Sequence, residues 1–214
     1  MSDNKQFGSK QYLRSSLTKK DLNINPFKQF DDWYKLILEL DIEYPNAMVL
    51  STSNHDSYPS SRVVLLKGFD ESGFSFYTNS KSEKGKNMDE NPFASICFWW
   101  PDFERQVRIN GDIKLLPDEI IDEYFDSRPR GSKIAASISK QSEVVESREY
   151  LEKLYEGFDL EYSDKTINRP DVWKGYILIP KSFEFWQGRE NRLHDRFKYS
   201  LTGNKSWKIE RLYP

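Results

Sequence analysis

The hydrophobic and polar positions change period along the chain, and these changes divide it into predicted elements. Residues 1–24 are polar and mixed in charge without a hydrophobic period, which predicts a flexible N-terminal arm. Asn25 followed by Pro26 is a helix-start signal, and apolar residues then recur at helical spacing from Phe27 onward. This pattern predicts one amphipathic helix that ends near Leu40.

Between residues 47 and 116 the pattern changes to short apolar or alternating runs, which predict β-strands. The runs are AMVLSTS, SRVVLLKGF, GFSFYTN, FASICFWW and RQVRINGDIKLL, with Asn110-Gly111 as a turn or bulge signal inside the last one. Two helical stretches follow, PDEIIDEYFDSR and residues 142–158, before strands return in KGYILIPKSFEFWQ, RLHDRFKYSL and SWKIERLY. This order predicts an α+β fold, a mainly antiparallel β-barrel with surrounding helices, in a single domain over residues 25–214.

Composition narrows the function classes. The 32 basic and 34 acidic residues leave a formal net charge of -2, and a general nucleic-acid binder needs a clear basic excess. Cys97, the single cysteine, excludes an internal disulfide, and we expect a buried thiol in a reducing compartment. The N-terminus lacks a signal-peptide pattern and no run approaches the roughly 18 apolar residues of a membrane span, so we expect a soluble cytoplasmic protein.

Several catalytic and cofactor motifs are missing from the sequence. GxGxxG, GxxxxGK[ST] and HExxH do not occur, and the only imidazoles are His55 and His194. These absences argue against a Rossmann site, a P-loop and a histidine-rich metal site, and we expect no metal. A Ser/His/Asp set stays open by residue count, although the GxSxG elbow is missing too.

The segment RLHDR carries the first candidate site. If it is extended, period-two alternation places Arg192, His194 and Arg196 on one face. Two guanidiniums beside an imidazole repel one another unless an anionic or electron-rich group lies against them, which favours an anionic ligand. The alternative is a solvated strand face whose charges pair with nearby carboxylates.

The segment DEYFDSRPRGS carries the second candidate site. Tyr124 and Arg128 lie four residues apart and share a helix face, and Pro129 turns the chain so that Arg130 and Ser132 follow in a loop. A phenol, a guanidinium and a hydroxyl at one turn can clamp a phosphate. Ordinary helix capping by the arginine is the alternative.

Three further segments are weaker candidates. Arg62 and Lys67 bracket the strand RVVLLK, and their odd separation puts them on opposite faces, so they share a site only if it wraps the strand end. Polar donors follow the next strand in a predicted loop, at Tyr77, Thr78, Ser82 and Lys84. After Gln141, Ser142 is a natural helix N-cap, and this capping role is enough to explain a serine there without a binding function.

Taken together, these segments resemble the pyridoxine/pyridoxamine 5′-phosphate oxidase family from about Asp21 to Pro214. The shared markers are RVVLLK, FYTN, the NP of DENP, ERQVRING, YFDSRPRGS, SKQS, EFWQG with RLHDRF, and WKIERLYP. The resemblance implies a homodimer of FMN-binding split β-barrels with FMN at the subunit interface. It also implies oxidation of pyridoxamine and pyridoxine 5′-phosphates to pyridoxal 5′-phosphate, with dioxygen as acceptor and hydrogen peroxide as product.

The resemblance further implies a set of site residues. The positions that look like the family's flavin-binding residues are Arg62, Val63, Val64, Leu65, Leu66, Lys67, Tyr77, Thr78, Lys84, Gln106, Gln141, Ser142, Trp186 and Arg196. Those that look like its substrate-phosphate clamp are Lys67, Tyr124, Arg128 and Ser132. Arg192 and His194 look like its catalytic, ring-contacting pair, and Tyr12 resembles a substrate-covering tyrosine.

Three positions depart from the family pattern. Glu83 precedes Lys84 where an arginine is frequent, and we expect its carboxylate to point away from FMN. Ser9 replaces a common arginine, and Tyr44 stands where an acidic residue is frequent. The last two change side chains at positions that the resemblance assigns to contacts of the substrate-covering lid.

Three other functions remain as alternatives. A carrier could bind flavin or pyridoxal phosphate in the same pockets without turnover. A different split-barrel flavoprotein could use a nicotinamide donor, although YFDSRPRGS and RLHDR together argue against it. A purely structural or nucleic-acid role fits the residues least well.

Overall fold

The computed structural model describes residues 11–214, and these divide into two compact units. The terminal unit contains the described residues up to Pro45 together with Ile96–Ile109 and Lys181–Pro214. The central unit contains Asn46–Ser95 and Asn110–Pro180. The single domain predicted over residues 25–214 stays a prediction, and Ser9 lies outside the described residues.

Antiparallel β-structure dominates the described chain. Its strands are β1 (Ala47–Ser53), β2 (Pro59–Leu65), β3 (Gly68–Asp70), β4 (Gly73–Asn79), β5 (Phe93–Trp100), β6 (Arg105–Leu115), β7 (Trp173–Gln187), β8 (Asp195–Leu201) and β9 (Trp207–Leu212). The sheet order is β2-β1-β5-β6-β7-β4-β3, with β8 paired to β7 and β9 to β8. The pairs β1–β2, β3–β4, β4–β7, β7–β8 and β8–β9 are antiparallel, as predicted.

Five α-helices accompany the sheet in residues 11–214. They are α1 (Pro26–Leu38), α2 (Glu83–Glu90), α3 (Asp118–Asp126), α4 (Arg130–Ile138) and α5 (Arg148–Glu161). Short 3-10 turns occupy Lys19–Asp21, Pro101–Phe103 and Glu190–Arg192. The α+β class is therefore confirmed. None of the helices in the described range is long and apolar enough to span a membrane.

Helix α1 follows its predicted signals in the terminal unit. The Asn25 side chain caps it by accepting the backbone N–H of Phe27 at 2.9 Å. Phe30 and Trp33 are buried on one face, where their rings lie 5.0 Å from Phe98 and 5.2 Å from Phe185. This aromatic packing anchors the helix on strands β5 and β7.

Helices α3 and α4 contribute to one hydrophobic cluster of the central unit. The buried members of this cluster are Ile121, Phe125, Ile134, Ile167 and Trp173. Partly buried rings pack against it, among them Tyr77 and Tyr124. The cluster therefore holds the end of α3 and the start of β7 beside each other, and the candidate site lies there.

Two helices were not predicted, and one predicted helix start is wrong. Helix α2 carries a single large apolar residue, Met88, so it has no amphipathic period to detect. Helix α4 begins at Arg130, which places Ser132 in its first turn and not in a loop. Helix α5 is capped by Ser147, whereas Ser142 has a left-handed backbone with φ of 74°.

The predicted turn at Asn110-Gly111 is wrong, because β6 runs continuously through it, whereas the alternative of a bulge stays a prediction. A Cβ at Gly111 would collide with the backbone carbonyl oxygen of Ile179, so the glycine permits close approach of neighbouring strands. We expect Gly111→Ala to lower the free energy of unfolding by about 1–3 kcal/mol in denaturant titration.

The matched control for this substitution is Gly157→Ala. Gly157 lies inside α5 with no atom within 4 Å of an added Cβ, so alanine there should stabilise the protein by about 0.5–1 kcal/mol. Equal effects of the two substitutions would contradict the close-approach explanation.

Candidate functional site

A basic cavity of about 460 Å³ lies in the central unit. Its lining residues are Arg62, Val63, Val64, Leu65, Lys67, Tyr77, Thr78, Lys84, Tyr124, Arg128, Pro129, Ser132, Gln141 and Trp173. Four of these side chains are cationic and none is a carboxylate. Like charges that share a cavity without counter-charges favour an anionic ligand.

Arg128 is a half-buried cation in the lining of the basic cavity. It follows the C-terminus of α3, and its guanidinium lies 4.7 Å from the ring centroid of Trp173 and 5.5 Å from that of Phe125. Burial lowers the pKa of Arg128. Among the described residues, its buried Nη1 has no hydrogen-bond partner. A phosphate oxygen could accept that donor.

Lys84 supplies the second desolvated charge, from the first turn of α2 and not from the predicted loop. Its side chain is about nine-tenths buried, and Nζ donates to Oε1 of Gln141 at 2.9 Å. The hydroxyl of Thr78 donates to the same oxygen at 3.0 Å. Burial and the nearby Arg62 charge lower the pKa of Lys84. Gln141 thus accepts hydrogen bonds from two of the predicted flavin-binding side chains, Thr78 and Lys84.

Arg62 is held in place by neutral and acidic acceptors. Its Nη1 donates to Oγ1 of Thr52 and to the carbonyl oxygen of Ser60, both at 2.8 Å. Glu83 accepts a hydrogen bond from the Ser60 hydroxyl, and its Oε1 lies 3.7 Å from Nη2 of Arg62. Glu83 does not line the basic cavity. Its orientation relative to FMN stays a prediction.

A stack of aromatic rings forms one wall of the basic cavity. Tyr77 lies between Tyr124, at a centroid distance of 4.2 Å, and Trp173, at 5.0 Å. Nζ of Lys67 lies 5.8 Å from the Tyr124 centroid. Burial raises the pKa of Tyr77, so its phenol stays protonated and can donate a hydrogen bond at neutral pH. The wall therefore combines flat apolar faces with polar edges.

Arg62 and Lys67 of RVVLLK line the same cavity, although strand alternation predicted that they lie on opposite faces. Strand β2 ends at Leu65, so Lys67 lies beyond it and lines the same cavity as Arg62. Leu66 is buried and does not line the cavity. Ser142 is exposed and lies outside the lining as well.

A second group of candidate side chains lies in the terminal unit. The rings of Tyr12, Trp186 and His194, here called the ring cluster, pack with centroid distances of 5.6 Å for Tyr12–Trp186, 5.6 Å for Tyr12–His194 and 4.6 Å for Trp186–His194. The Tyr12 ring also covers Gly188, where a Cβ would clash with it. Gln106, in β6 of the same unit, is half-buried.

The predicted extended conformation of RLHDR is wrong over its first half. Strand β8 begins only at Asp195, and Arg192 ends a 3-10 turn with φ of 61°. Period-two alternation therefore does not apply to Arg192 and His194. Both Arg192 and Arg196 nevertheless lower the pKa of His194 through their charges, although desolvation is the larger cause. The two cations and the imidazole are therefore neighbours because a 3-10 turn precedes β8, and not because they alternate along one strand.

The two arginines beside His194 differ in their partners. Arg196 forms an ion pair with Glu184, with Nε and Oε1 2.9 Å apart. This pair agrees with the alternative prediction for RLHDR, in which its charges pair with nearby carboxylates. Arg192 is exposed and has no ion pair within residues 11–214. Arg192 therefore remains available to an external anion.

Sequence reasoning missed two residues that shape these groups. Trp173 lines the basic cavity and contacts Arg128, but no feature of the sequence distinguishes it from the other aromatic residues at the starts of strands. Arg189 hydrogen-bonds His194 through its backbone N–H, which no side-chain pattern reveals.

Comparisons with known proteins agree with the predicted family. A sequence model described as pyridoxamine 5′-phosphate oxidase matches residues 37–159, and one described as the pyridoxine 5′-phosphate oxidase C-terminal dimerisation region matches residues 173–214. A pyridoxine/pyridoxamine 5′-phosphate oxidase of Nostoc punctiforme is 47% identical over 205 residues, covering 96% of each chain. A chloroplastic one of Arabidopsis thaliana is 47% identical over 95% of this chain and 39% of its own length.

Solved structures show the same fold. PhzG from Burkholderia lata, determined in complex with tetrahydrophenazine-1-carboxylic acid, has a TM-score of 0.86 at 29% identity and covers 92% of this chain and 98% of its own. A pyridoxamine 5′-phosphate oxidase-related, FMN-binding protein of Nostoc punctiforme has a TM-score of 0.73 at 16% identity. The match covers 90% of this chain and 99% of that protein's chain. The second likeness bears on the fold alone.

Proposed function

Because this chain belongs to the pyridoxamine 5′-phosphate oxidase family, we propose that it uses FMN to oxidise pyridoxamine and pyridoxine 5′-phosphates to pyridoxal 5′-phosphate. The observation that carries the proposal is the basic cavity, which presents four cations and no carboxylate. Both the cofactor and the substrates bear a phosphate dianion. Such a cavity suits them and disfavours uncharged ligands.

The lining residues fit FMN by their chemistry. Lys84 and Arg62 are partly desolvated cations that can bind the FMN phosphate, and Gln141 orients Lys84. Backbone groups of Val63–Leu65 offer donors and acceptors to the flavin edge. Bound FMN would serve as the acceptor for a hydride from the exocyclic carbon of the substrate, and dioxygen would take up the two electrons with that hydrogen's proton and one proton from solvent to leave as hydrogen peroxide.

The substrate phosphate has a separate set of donors in this proposal. Arg128 supplies the unpartnered Nη1, Tyr124 its phenol and Ser132 its hydroxyl from the first turn of α4. Lys67 adds a flexible charge above the Tyr124 ring. Holding the phosphate at this end fixes the pyridine ring relative to the flavin, which lowers the entropic part of the barrier.

The ring cluster and Arg192 serve the other end of the substrate in this proposal. Arg192 stabilises negative charge on the phenolic oxygen of the pyridine ring, Tyr12 covers the substrate, and Trp186 and Arg196 contact the flavin. The match of residues 173–214 to a dimerisation region supports a homodimer. We place the FMN site at its subunit interface, with the basic cavity from one protomer and the ring cluster from its partner.

Reconstitution tests the proposed function directly. The protein is loaded with FMN, supplied with either phosphorylated vitamer, and followed for aldehyde and for peroxide. One peroxide should form per aldehyde, with ammonia when the amine is the substrate. Yellow protein that forms neither product would favour the carrier alternative, and protein that retains no flavin would remove the basis of the proposal. The assignment to the cytoplasm belongs to the same proposal and is tested by cell fractionation.

Arg192→Ala tests the role of that side chain. Because Arg192 is exposed and unpaired in the described chain, its loss should not disturb packing. Losing a charged hydrogen bond to the substrate should lower kcat/KM about tenfold, with the flavin content unchanged. Proportional loss of flavin and turnover would show that Arg192 binds the cofactor instead.

A further inference from the structure

Trp173 carries the guanidinium of Arg128 on its ring. The ring is buried, and its centroid lies 4.7 Å from Cζ of Arg128 and 5.0 Å from the ring centroid of Tyr77. Nη1 of Arg128 has no hydrogen-bond partner within residues 11–214. Contacts with aromatic rings, and not hydrogen bonds to protein groups, therefore place this nitrogen. Its position depends on where Trp173 lies relative to helix α3.

Arg169 joins the start of β7 to helix α3. Its Nη1 donates to the carbonyl oxygen of Trp173 at 3.2 Å. Its Nη2 donates to Oδ1 of Asp118 at 2.9 Å, and its Nε donates to Oδ1 of Asp122. The side chain is only 12% exposed, and Pro170 disfavours a helical backbone at the residue before it. The guanidinium is therefore held by three acceptors on two different elements.

Helix α3 is fixed to Trp173 at both of its ends. In its first half, Asp118 and Asp122 lie four residues apart on one face, where Arg169 binds both. Near its C-terminus, the ring of Phe125 meets the Trp173 ring edge-on at a centroid distance of 5.1 Å. Because a helix moves as a rigid element, a shift of its first half against β7 also shifts the residues that follow its last turn.

Charge balance alone does not require an arginine at position 169. Asp118 and Asp122 are 64% and 55% exposed, so water solvates both carboxylates, and exposed ion pairs contribute little to stability. Nζ of Lys174 also lies 3.6 Å from Oδ1 of Asp118 and supplies a second cation. A planar guanidinium differs from an ammonium because its donors point in fixed directions, here to two carboxylates and a carbonyl oxygen.

From these contacts we propose that Arg169 is a positioning residue for the substrate phosphate: it fixes α3 against the start of β7 and thereby holds Arg128 over the Trp173 ring. Arg169 does not line the basic cavity, so it acts through Arg128 and not by contact with the ligand. This inference rests on the proposed function and adds a residue that determines the affinity for the phosphorylated form of the substrate.

Two unreactive ligands measure this role without turnover. 4-Deoxypyridoxine 5′-phosphate carries a methyl group where the substrate is oxidised, and 4-deoxypyridoxine lacks the phosphate as well. In FMN-loaded protein, calorimetry should show that Arg169→Lys binds the phosphorylated analogue about tenfold more weakly than the parent, because an ammonium cannot reach all three acceptors. The affinity for 4-deoxypyridoxine and the flavin content should not change. An unchanged affinity for the phosphorylated analogue, or an equal loss for both analogues, would overturn the proposal.

Two further variants separate positioning from charge and from packing. Lys174→Gln removes a cation from the same Asp118 carboxylate but leaves the guanidinium in place, so the affinity for the phosphorylated analogue should stay within about threefold. In an Arg128→Ala background, adding Arg169→Lys should change that affinity less than about twofold, because the side chain through which Arg169 acts is gone. A loss in Lys174→Gln as large as that in Arg169→Lys, or additive losses in the double variant, would overturn the proposal.

Asp122→Asn replaces the lysine variant if Arg169→Lys does not fold. It changes one exposed acceptor from a carboxylate to a neutral amide and leaves Arg169 in place, so the phosphorylated analogue should bind about threefold more weakly. An unchanged affinity in this variant would then overturn the proposal. Parent protein that binds the phosphorylated analogue but forms no aldehyde from the vitamers would overturn the proposed function alone. Parent protein that binds neither analogue would overturn both.

Discussion

Replacing Arg128 by alanine is expected to lower kcat/KM for either phosphorylated vitamer by about two to three orders of magnitude while FMN stays bound. The guanidinium is half-buried against Trp173, and its Nη1 has no protein partner among the described residues. Truncating one member of a desolvated charge pair costs about 2–5 kcal/mol, and each 1.4 kcal/mol is about a tenfold change. Steady-state kinetics with a parallel measurement of bound flavin checks the prediction.

Arg130→Ala is the matched control for Arg128→Ala. Arg130 lies two residues away but pairs with Asp159 on the surface and does not line the basic cavity. Exposed pairs contribute little, so the control should keep kcat/KM within about threefold. If both alanine variants behaved alike, the substrate phosphate would have to bind elsewhere.

Replacing Lys84 by alanine should weaken FMN binding about a hundredfold. Lys84 is about nine-tenths buried as a residue and its ammonium is oriented by Gln141, so a bound phosphate dianion would meet a partly desolvated charge there. A hydrogen bond between charged groups contributes about 1.5–3 kcal/mol, and the loss of net cavity charge adds to it. Quenching of flavin fluorescence on titration into apoprotein gives the dissociation constant.

Lys86→Ala controls for the charge of helix α2. Lys86 lies on the same helix, but it is exposed and outside the basic cavity. Its loss should change the FMN dissociation constant less than threefold at physiological salt, because exposed charges are screened. An effect as large as that of Lys84→Ala would indicate long-range attraction and not a direct contact.

The strands were predictable because most of them carry a clear apolar pattern. The apolar runs AMVLSTS, GFSFYTN and FASICFWW coincide with β1, β4 and β5 to the residue. Helix α1 was predictable from its cap and its period. Helices α2 and α4 were not, because one lacks an apolar face and the other directly follows Pro129 within a segment predicted as a loop.

The candidate site was predictable in residue type more than in geometry. Charged and hydroxyl side chains suggested a phosphate clamp, and the structure brings Lys67, Tyr124, Arg128 and Ser132 to one cavity. Strand alternation failed for Arg192, because its left-handed backbone depends on local contacts that residue type does not encode. The stacking of Trp173 on Arg128 joins residues 45 positions apart, which no local pattern contains.

The absence of carboxylates from the lining of the basic cavity has a consequence for the stability of the folded protein. Four like charges repel one another, so an anion that binds between them stabilises the folded chain over the unfolded one, by an amount that rises with the logarithm of its free concentration above the dissociation constant. Protein without bound FMN should therefore have a lower free energy of unfolding than protein loaded with it.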